Sequence, residues 1–268
     1  EKTNELASEG MIPAFSLKEL VEKLPKDKII WLMLPAGETV DHALFDKEGL
    51  VTLTKRGGII IDGGNSYYKD TVLRYKKVVK KGIHYMDVGT SGGPGGARNG
   101  ACLMVGGEKI IFEKLKPLFQ DVAKDDAFNL FGTAGAGHFV KMVHNGIEYG
   151  MMQAIAEGFT ILKKSGFKLN LTDIAEIYNN GSVIESRLIK WMKKAFELRG
   201  ENLADVSGTV RHTGEGEWTV KTAKEMKLKA KIIEDALNFR KQSEKKPDYT
   251  GKLLSALREQ FGGHSVKK

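Results

Sequence analysis

The sequence contains very little that could staple, anchor or metallate it. A single cysteine, Cys102, excludes an internal disulfide and fits a reducing compartment, the cytosol or an organelle matrix. Set in an apolar strand, Cys102 reads as a packed core residue rather than a nucleophile. No apolar run approaches the roughly 18 residues of a membrane span. The longest, Ile29 to Leu34, has the size of a strand, so a membrane role is not expected. The histidines His42, His84, His138, His144, His212 and His264 form no cluster with ligand spacing, and no metal is predicted. Also missing are the G-x-G-x-x-G turn by which a doubly wound domain holds a pyrophosphate and the ribose-reading residue after its second strand. Because the chain starts at Glu1, the expectation is a nucleotide domain whose first segment is not included, with no targeting signal to read.

What is present is ordinary globular material. At 41% hydrophobic and 28% charged, 268 residues can bury one large core or two modest ones. The net charge of +8 is uneven, with thirteen Lys/Arg against six Asp/Glu from residue 221 onward. Such an excess attracts a phosphorylated metabolite or nucleic acid, but lysines at helical spacing are more often a solvated face, and nucleic acid is not the favoured partner.

Short apolar segments at Lys28–Leu34, Gly58–Asp62, Ile83–Val88, Ala101–Val105 and Phe128–Phe131 read as strands. Amphipathic stretches lie between them, including Ser66–Lys80 and Ser16–Leu24, the latter with Ser16 and Glu19 as a capping box. This alternation predicts an α/β domain with a largely parallel sheet covered on both faces, over residues 1–135. Beyond the Gly132–Gly137 turn the strand signals stop, and residues 136–268 are expected to be all helical.

The strongest chemical signal is the run from Gly135 to Tyr149, GAGHFVKMVHNGIEY. At about 100° per residue, Lys141, Asn145, Glu148 and His144 project at roughly 0°, 40°, 340° and 300°. They share one stripe, while Val140, Val143, Ile147, Met151 and Ala154 form a separate arc expected to face the core. A plain amphipathic helix has the same pattern. Against that reading, Asn and His are mediocre helix formers, and Gly146 costs about 1 kcal/mol in a helix interior unless something approaches its backbone closely. A Lys and a Glu two turns apart can serve one substrate as base and acid. A second signal is the loop Gly89–Ala97, GTSGGPGGA, whose backbone NH groups can come close to an anion or simply belong to a mobile connector. A third is Asn65, which follows a strand in IIDGGNS and is either a ligand at the carboxyl edge of the sheet or a turn and cap residue.

Together, DGGNSYYKD from Asp62, GTSGGPGGARNG from Gly89, GAGHFVKMVHNGIEYG from Gly135 and FGGH from Phe261 resemble the motifs of the 6-phosphogluconate dehydrogenases, in that family's order and over nearly the whole chain. The chain closes soon after FGGH, so it resembles the short-chain branch. The resemblance implies an N-terminally incomplete Rossmann-like dinucleotide-binding domain followed by an all-helical substrate and dimerisation domain. It implies oxidative decarboxylation of 6-phosphogluconate to ribulose 5-phosphate and CO2 with NAD or NADP, without a metal. Lys141 and Glu148 take the catalytic positions. Asn65, Ser91, Gly92, Gly93, His144, Asn145, Tyr149, Arg258 and His264 match substrate-binding positions, and Pro35, Ala36 and Asn65 match positions beside the dinucleotide. In the family Arg258 and His264 often reach the phosphate from a neighbouring subunit, so a homo-oligomer is implied. The chain departs from the pattern at Glu185, where Arg is usual, and at Glu215 and Glu217, where the long form has Thr and Lys. These departures keep open a related β-hydroxyacid dehydrogenase acting on an unphosphorylated acid, and a non-catalytic binding protein or inactive fragment.

Overall fold

In the computed structural model, which describes residues 2–212 and 214–266, the chain divides into two compact units. One comprises the residues up to Ser91 together with Gly100–Met142; the other comprises Gly92–Asn99 and the residues from Val143 onward.

The first unit carries α1 (Lys2–Ser8), α2 (Leu17–Lys23), β1 (Ile29–Leu32), α3 (Glu38–Phe45), α4 (Leu50–Leu53), β2 (Ile59–Asp62), α5 (Tyr68–Val79) and β3 (His84–Ser91). After the short helix α6 (Gly93–Asn99) come β4 (Ala101–Gly106), α7 (Lys109–Val122), β5 (Ala123–Gly132) and the start of α8 (Ala136–Lys164). The strands form one sheet in the order β1-β2-β3-β4-β5. Strands β1, β2 and β3 are mutually parallel, but β4 runs antiparallel to β3, and β5 is parallel to β4. Three of the four pairings are parallel, so the sheet is largely parallel as expected, with one antiparallel pairing between β3 and β4. The link from Ser91 to Ala101 is too short for the parallel crossover of about a dozen residues or more.

Strand alternation divides the core between the two faces of the sheet. Ile59, Ile61, Met86, Val88, Leu103 and Val105 pack with Ile111, Phe112, Leu115 and Phe119 of α7. Ile30, Leu32, Ile60 and Tyr85 pack with Val40, Leu44, Leu50 and Val78 of α3, α4 and α5. Cys102 is exposed, contrary to the core position expected from its apolar strand, because it points away from the side occupied by Ala101 and Leu103. The box predicted at α2 forms with a shift of one residue. Ser16 Oγ accepts from Glu19 N at 3.1 Å, and Glu19 Oε2 accepts from Phe15 N, the residue before the cap, at 2.8 Å.

A buried charge network ties the carboxyl ends of β1 and β2 together. Arg74, 2% exposed, donates to Asp41 Oδ1 and Oδ2 at 2.9 and 3.0 Å, to Gly37 O at 2.8 Å and to Ser66 Oγ at 3.2 Å. Asp62 accepts from Ser66 Oγ at 2.8 Å and from Tyr85 Oη at 3.1 Å. The Arg74 hydrogen bonds hold the Asp41 carboxyl below its ordinary value. The sign follows: this pair's stabilisation is present above the unfolded pKa of about 3.9 and is lost as pH falls through the lower folded value. Asp41→Asn is expected to flatten that acid limb in urea midpoints measured against pH; an unchanged limb would mean that the pair contributes nothing.

The second unit contains α6, most of α8, and α9 (Leu171–Tyr178), α10 (Arg187–Arg199), α11 (Glu215–Glu225), α12 (Lys231–Ser243) and α13 (Tyr249–Gly262), and no strand among the described residues. Met152, Ala156 and Phe159 of α8 bury against Leu188, Met192 and Phe196 of α10 and Leu253, Leu254 and Leu257 of α13. A smaller cluster joins Tyr149 to Val220 of α11 and to Ala236 and Leu237 of α12.

The face of α8 expected in the core is not the buried one. Ile147 and Met151 are 53% and 46% exposed, and Ala154 is exposed as well, whereas Lys141, Asn145, Gly146, Tyr149, Met152 and Ala156 are buried. The helix buries its polar and small residues because glycines there admit close neighbours. A Cβ on Gly146 would lie 2.6 Å from Thr219 Cγ2 of α11, which accounts for a glycine in mid-helix.

Candidate active site

Lys141, Asn65, Ser91, Pro35 and Ala36 lie in the first unit. Pro35 and Ala36 are exposed just beyond the carboxyl end of β1. The turn after β2 packs tightly on that extension, since a Cβ on Gly64 would lie 2.2 Å from Leu34 O. Asn65 follows with a left-handed φ of 54°, and its amide brackets Thr90: Nδ2 donates to Thr90 O at 3.0 Å, and Thr90 N donates to Oδ1 at 2.8 Å. Asn65 is thus neither a free turn residue nor a helix cap. It fixes the end of β2 to the end of β3 immediately before Ser91.

Lys141 is 5% exposed and is placed by the start of α8. A Cβ on Gly89 of β3 would lie 2.3 Å from Lys141 Cβ and 2.9 Å from Gly137 O, so the helix lies directly on the strand. Asp87 of β3 receives the helix N-terminus, accepting from Gly135 N at 2.7 Å and His138 N at 2.8 Å. Burial raises the Asp87 carboxyl above its ordinary value, against the pull of His138 and these two donors. His138 Nδ1 and Thr71 Oγ1 of α5 are 2.8 Å apart, a further tie on the same helical turn.

Gly92, Gly93, His144, Asn145, Glu148, Tyr149, Arg258 and His264 lie in the second unit. Gly93, at φ 59°, accepts no side chain, since a Cβ would lie 2.0 Å from Phe261 O. The glycine loop and the FGGH tail of the same chain are therefore in contact. The tail is held further by Phe261 against Trp191, with ring centroids 5.3 Å apart, and by Ser207 N donating to Val266 O at 2.9 Å.

Along α8, His144 Nδ1 lies 2.8 Å from Asn145 Oδ1 and 3.9 Å from Glu148 Oε2, and Asn145 Nδ2 donates to Glu215 Oε2 at 2.6 Å. Tyr149 is stacked under Arg240, whose guanidinium carbon is 3.6 Å from the ring centroid. Gly216 makes room for that ring, since a Cβ there would meet Tyr149 Cε2 at 2.3 Å. Arg240 is 1% exposed, and among the described residues its Nε and Nη1 have no hydrogen-bond partner. Burial first, and Arg258 in addition, bring its guanidinium down to about 10, against the opposing pull of Tyr149 and Glu148, which leaves it cationic at neutral pH. Arg258 is lowered by burial too, with Tyr149 and Glu148 opposing and Arg211 adding to the shift. His264 is lowered by burial and by Arg258. Arg240 and Arg258 thus concentrate positive charge beside Tyr149, with His264 held towards its neutral form near Arg258.

The departures from the family pattern are all engaged locally. Glu185 is exposed and accepts from Gly181 N at 3.0 Å, Glu217 accepts from Lys241 Nζ at 2.6 Å, and Glu215 holds Asn145. Arg240 was not among the residues expected from sequence. Its signal was present: Ile233, Ala236, Leu237 and Arg240 follow i, i+3, i+4, i+7 spacing, which puts an arginine in line with an apolar stripe.

The fold is a Rossmann-like NAD-binding domain followed by a helical C-terminal domain. The crystal structure of 3-hydroxyisobutyrate dehydrogenase from Salmonella typhimurium matches with a TM-score of 0.71 over 94% of this chain and 86% of that one, at 20% identity. The family model for the NAD binding domain of 6-phosphogluconate dehydrogenase matches residues 1–144, and that for the 6-phosphogluconate dehydrogenase C-terminal domain matches residues 137–250. The NAD(+)-dependent, decarboxylating 6-phosphogluconate dehydrogenase of Haloferax volcanii is 40% identical over 263 residues, 98% of this chain and 86% of that protein. The Bacillus subtilis relative YqeC, named for the same family, is 43% identical over 265 residues, 99% of this chain and 88% of that protein. Plasmodium falciparum 6-phosphogluconate dehydrogenase matches with a TM-score of 0.79 at 30% identity, over 91% of this chain and 55% of that longer one. The chain belongs to the 6-phosphogluconate dehydrogenase family of NAD(P)-dependent oxidoreductases.

Proposed function

We propose that the protein oxidatively decarboxylates 6-phosphogluconate to ribulose 5-phosphate and CO2. The observation that carries the phosphorylated substrate is Arg240, a buried cation stacked on Tyr149 with two guanidinium nitrogens unpaired. A buried charge without partners is costly unless a ligand supplies them, and a phosphate dianion does so with charge-assisted hydrogen bonds. Tyr149, Arg258 and His264 complete that subsite in this reading. The exposed Pro35 and Ala36, with Asn65 bracketed at the neighbouring strand end, fit the dinucleotide at the carboxyl edge of the sheet.

When bound, NAD or NADP accepts hydride from C3 of the sugar acid. Lys141 takes the proton of the C3 hydroxyl in that step and returns it to the keto oxygen as the carboxylate leaves as CO2. Glu148 then delivers a proton to C1 of the enediol while Lys141 takes the proton of the C2 hydroxyl, which becomes the ketone of ribulose 5-phosphate. Ser91, Gly92, Gly93, His144 and Asn145 hold the carboxylate and hydroxyls. A homo-oligomer is part of this reading, supported by the exposed apolar side chains Ile147, Met151, Ile161 and Val183 of the second unit, and sedimentation equilibrium reads it directly.

The test compares reduced-dinucleotide formation from 6-phosphogluconate, gluconate and 3-hydroxyisobutyrate, each with NAD and with NADP, on the full chain. A kcat/KM at least about 100-fold higher for the phosphorylated acid is expected from two or more charge-assisted bonds. Equal or better use of an unphosphorylated acid would replace this substrate with another hydroxyacid.

A further inference from the structure

We infer that Glu215 is a positioning residue: through the Asn145 amide, its carboxylate fixes the proton of the neutral His144 ring on Nδ1, leaving Nε2 as the ring's acceptor. An ionised carboxylate only accepts, so at 2.6 Å Asn145 must present its NH2 group to Glu215 Oε2. The amide oxygen then faces His144 Nδ1 at 2.8 Å, and this oxygen also only accepts. The second acceptor on the same side, Glu148 Oε2 at 3.9 Å from Nδ1, favours the same tautomer. Asn145 is buried, so solvent does not readily offer the amide the opposite orientation.

The packing holds this arrangement in place. Glu215 opens α11 after Gly214, which takes a left-handed conformation at φ 94°, and Thr219 Oγ1 donates to Glu215 O at 2.9 Å. The bare backbone of Gly146 lets α11 come close enough to α8 for the Glu215–Asn145 bond. This places a carboxylate at a position where the long form has threonine, a hydroxyl that can donate as well as accept and so imposes no direction on the amide.

The inference rests on the reading that His144 faces substrate, and it narrows what His144 recognises. With its lone pair on Nε2, the ring takes a hydrogen bond from a sugar hydroxyl and disfavours an oxyanion at the same place.

The test is the 15N shift pattern of the His144 ring in the full chain, assigned by comparison with His144→Gln and recorded where the ring is neutral. The wild type is expected to be protonated on Nδ1, and Glu215→Gln, which conserves shape but can donate, is expected to show a mixture or the Nε2–H form. A wild-type ring protonated on Nε2, or a tautomer unchanged in Glu215→Gln, overturns the inference, and the first of these needs no variant to fold. With 6-phosphogluconate, Glu215→Gln is expected to lower kcat roughly tenfold at an unchanged thermal midpoint. A tautomer that shifts while kcat stays constant supports the relay and locates the failure in the role proposed for His144, so the two readings fail separately.

Discussion

Lys141→Met is expected to lower kcat about 100- to 10,000-fold, the range lost with a general acid–base group, without lowering the thermal midpoint. The side chain is buried, and its stem rests against Gly89, so methionine keeps the packing and removes only the amine. In the proposed mechanism Lys141 acts in the hydride step itself, so a rapid-quench experiment should find no burst of reduced dinucleotide in the first turnover. Glu148→Gln provides the contrast. In the proposed mechanism its proton is needed only after hydride and CO2 have left, so its first turnover should still reduce the dinucleotide while ribulose 5-phosphate formation slows. A wild-type burst in Lys141→Met would remove lysine from the oxidation step, and a lost burst in Glu148→Gln would remove the order of events.

Arg240→Met is expected to raise KM for 6-phosphogluconate roughly 10- to 100-fold, the equivalent of one or two charge-assisted hydrogen bonds, and to leave the slow turnover of gluconate unchanged. The pairing of these two results matters because Arg240 is fully buried and also donates to Met152 Sδ at 3.7 Å. A merely structural arginine would move both substrates together. Exchange of a buried cation with two guanidinium nitrogens lacking hydrogen bonds for an apolar side chain of similar length removes a desolvation cost, so the variant is expected to fold. A KM for 6-phosphogluconate within twofold of wild type would place the phosphate elsewhere.

Much of the fold was legible because local signals and tertiary demands agree. The strand Ile59–Asp62 is an apolar run between glycine pairs, and it is buried on both faces as such runs are. Ser16 and Glu19 announced α2 because a cap is a local device. The direction of β4 was not legible from hydropathy, which carries no strand polarity; the short link between Ser91 and Ala101 was the available clue. The buried face of α8 was misread because hydropathy treats Lys141, Asn145 and Gly146 as surface residues. They are buried by what they meet, Gly89 for Lys141, Glu215 for Asn145 and Thr219 for Gly146, and none of these partners is near in sequence. Arg240 was hidden for the same reason, since its burial against Tyr149 depends on α12 packing on α8. The candidate chemistry on one stripe of α8 could be read directly, because His144, Asn145 and Glu148 share a helix and their spacing alone brings them together.

If α8 serves an oxidation coupled to loss of a carboxylate, then 6-phosphogluconate labelled at C1 releases labelled CO2, which is followed beside reduced dinucleotide in the same reaction. Equal amounts of CO2 and reduced dinucleotide, both lost in Lys141→Met, are predicted. Reduced dinucleotide formed without CO2 would contradict the proposed decarboxylation and make the protein a simple hydroxyacid dehydrogenase.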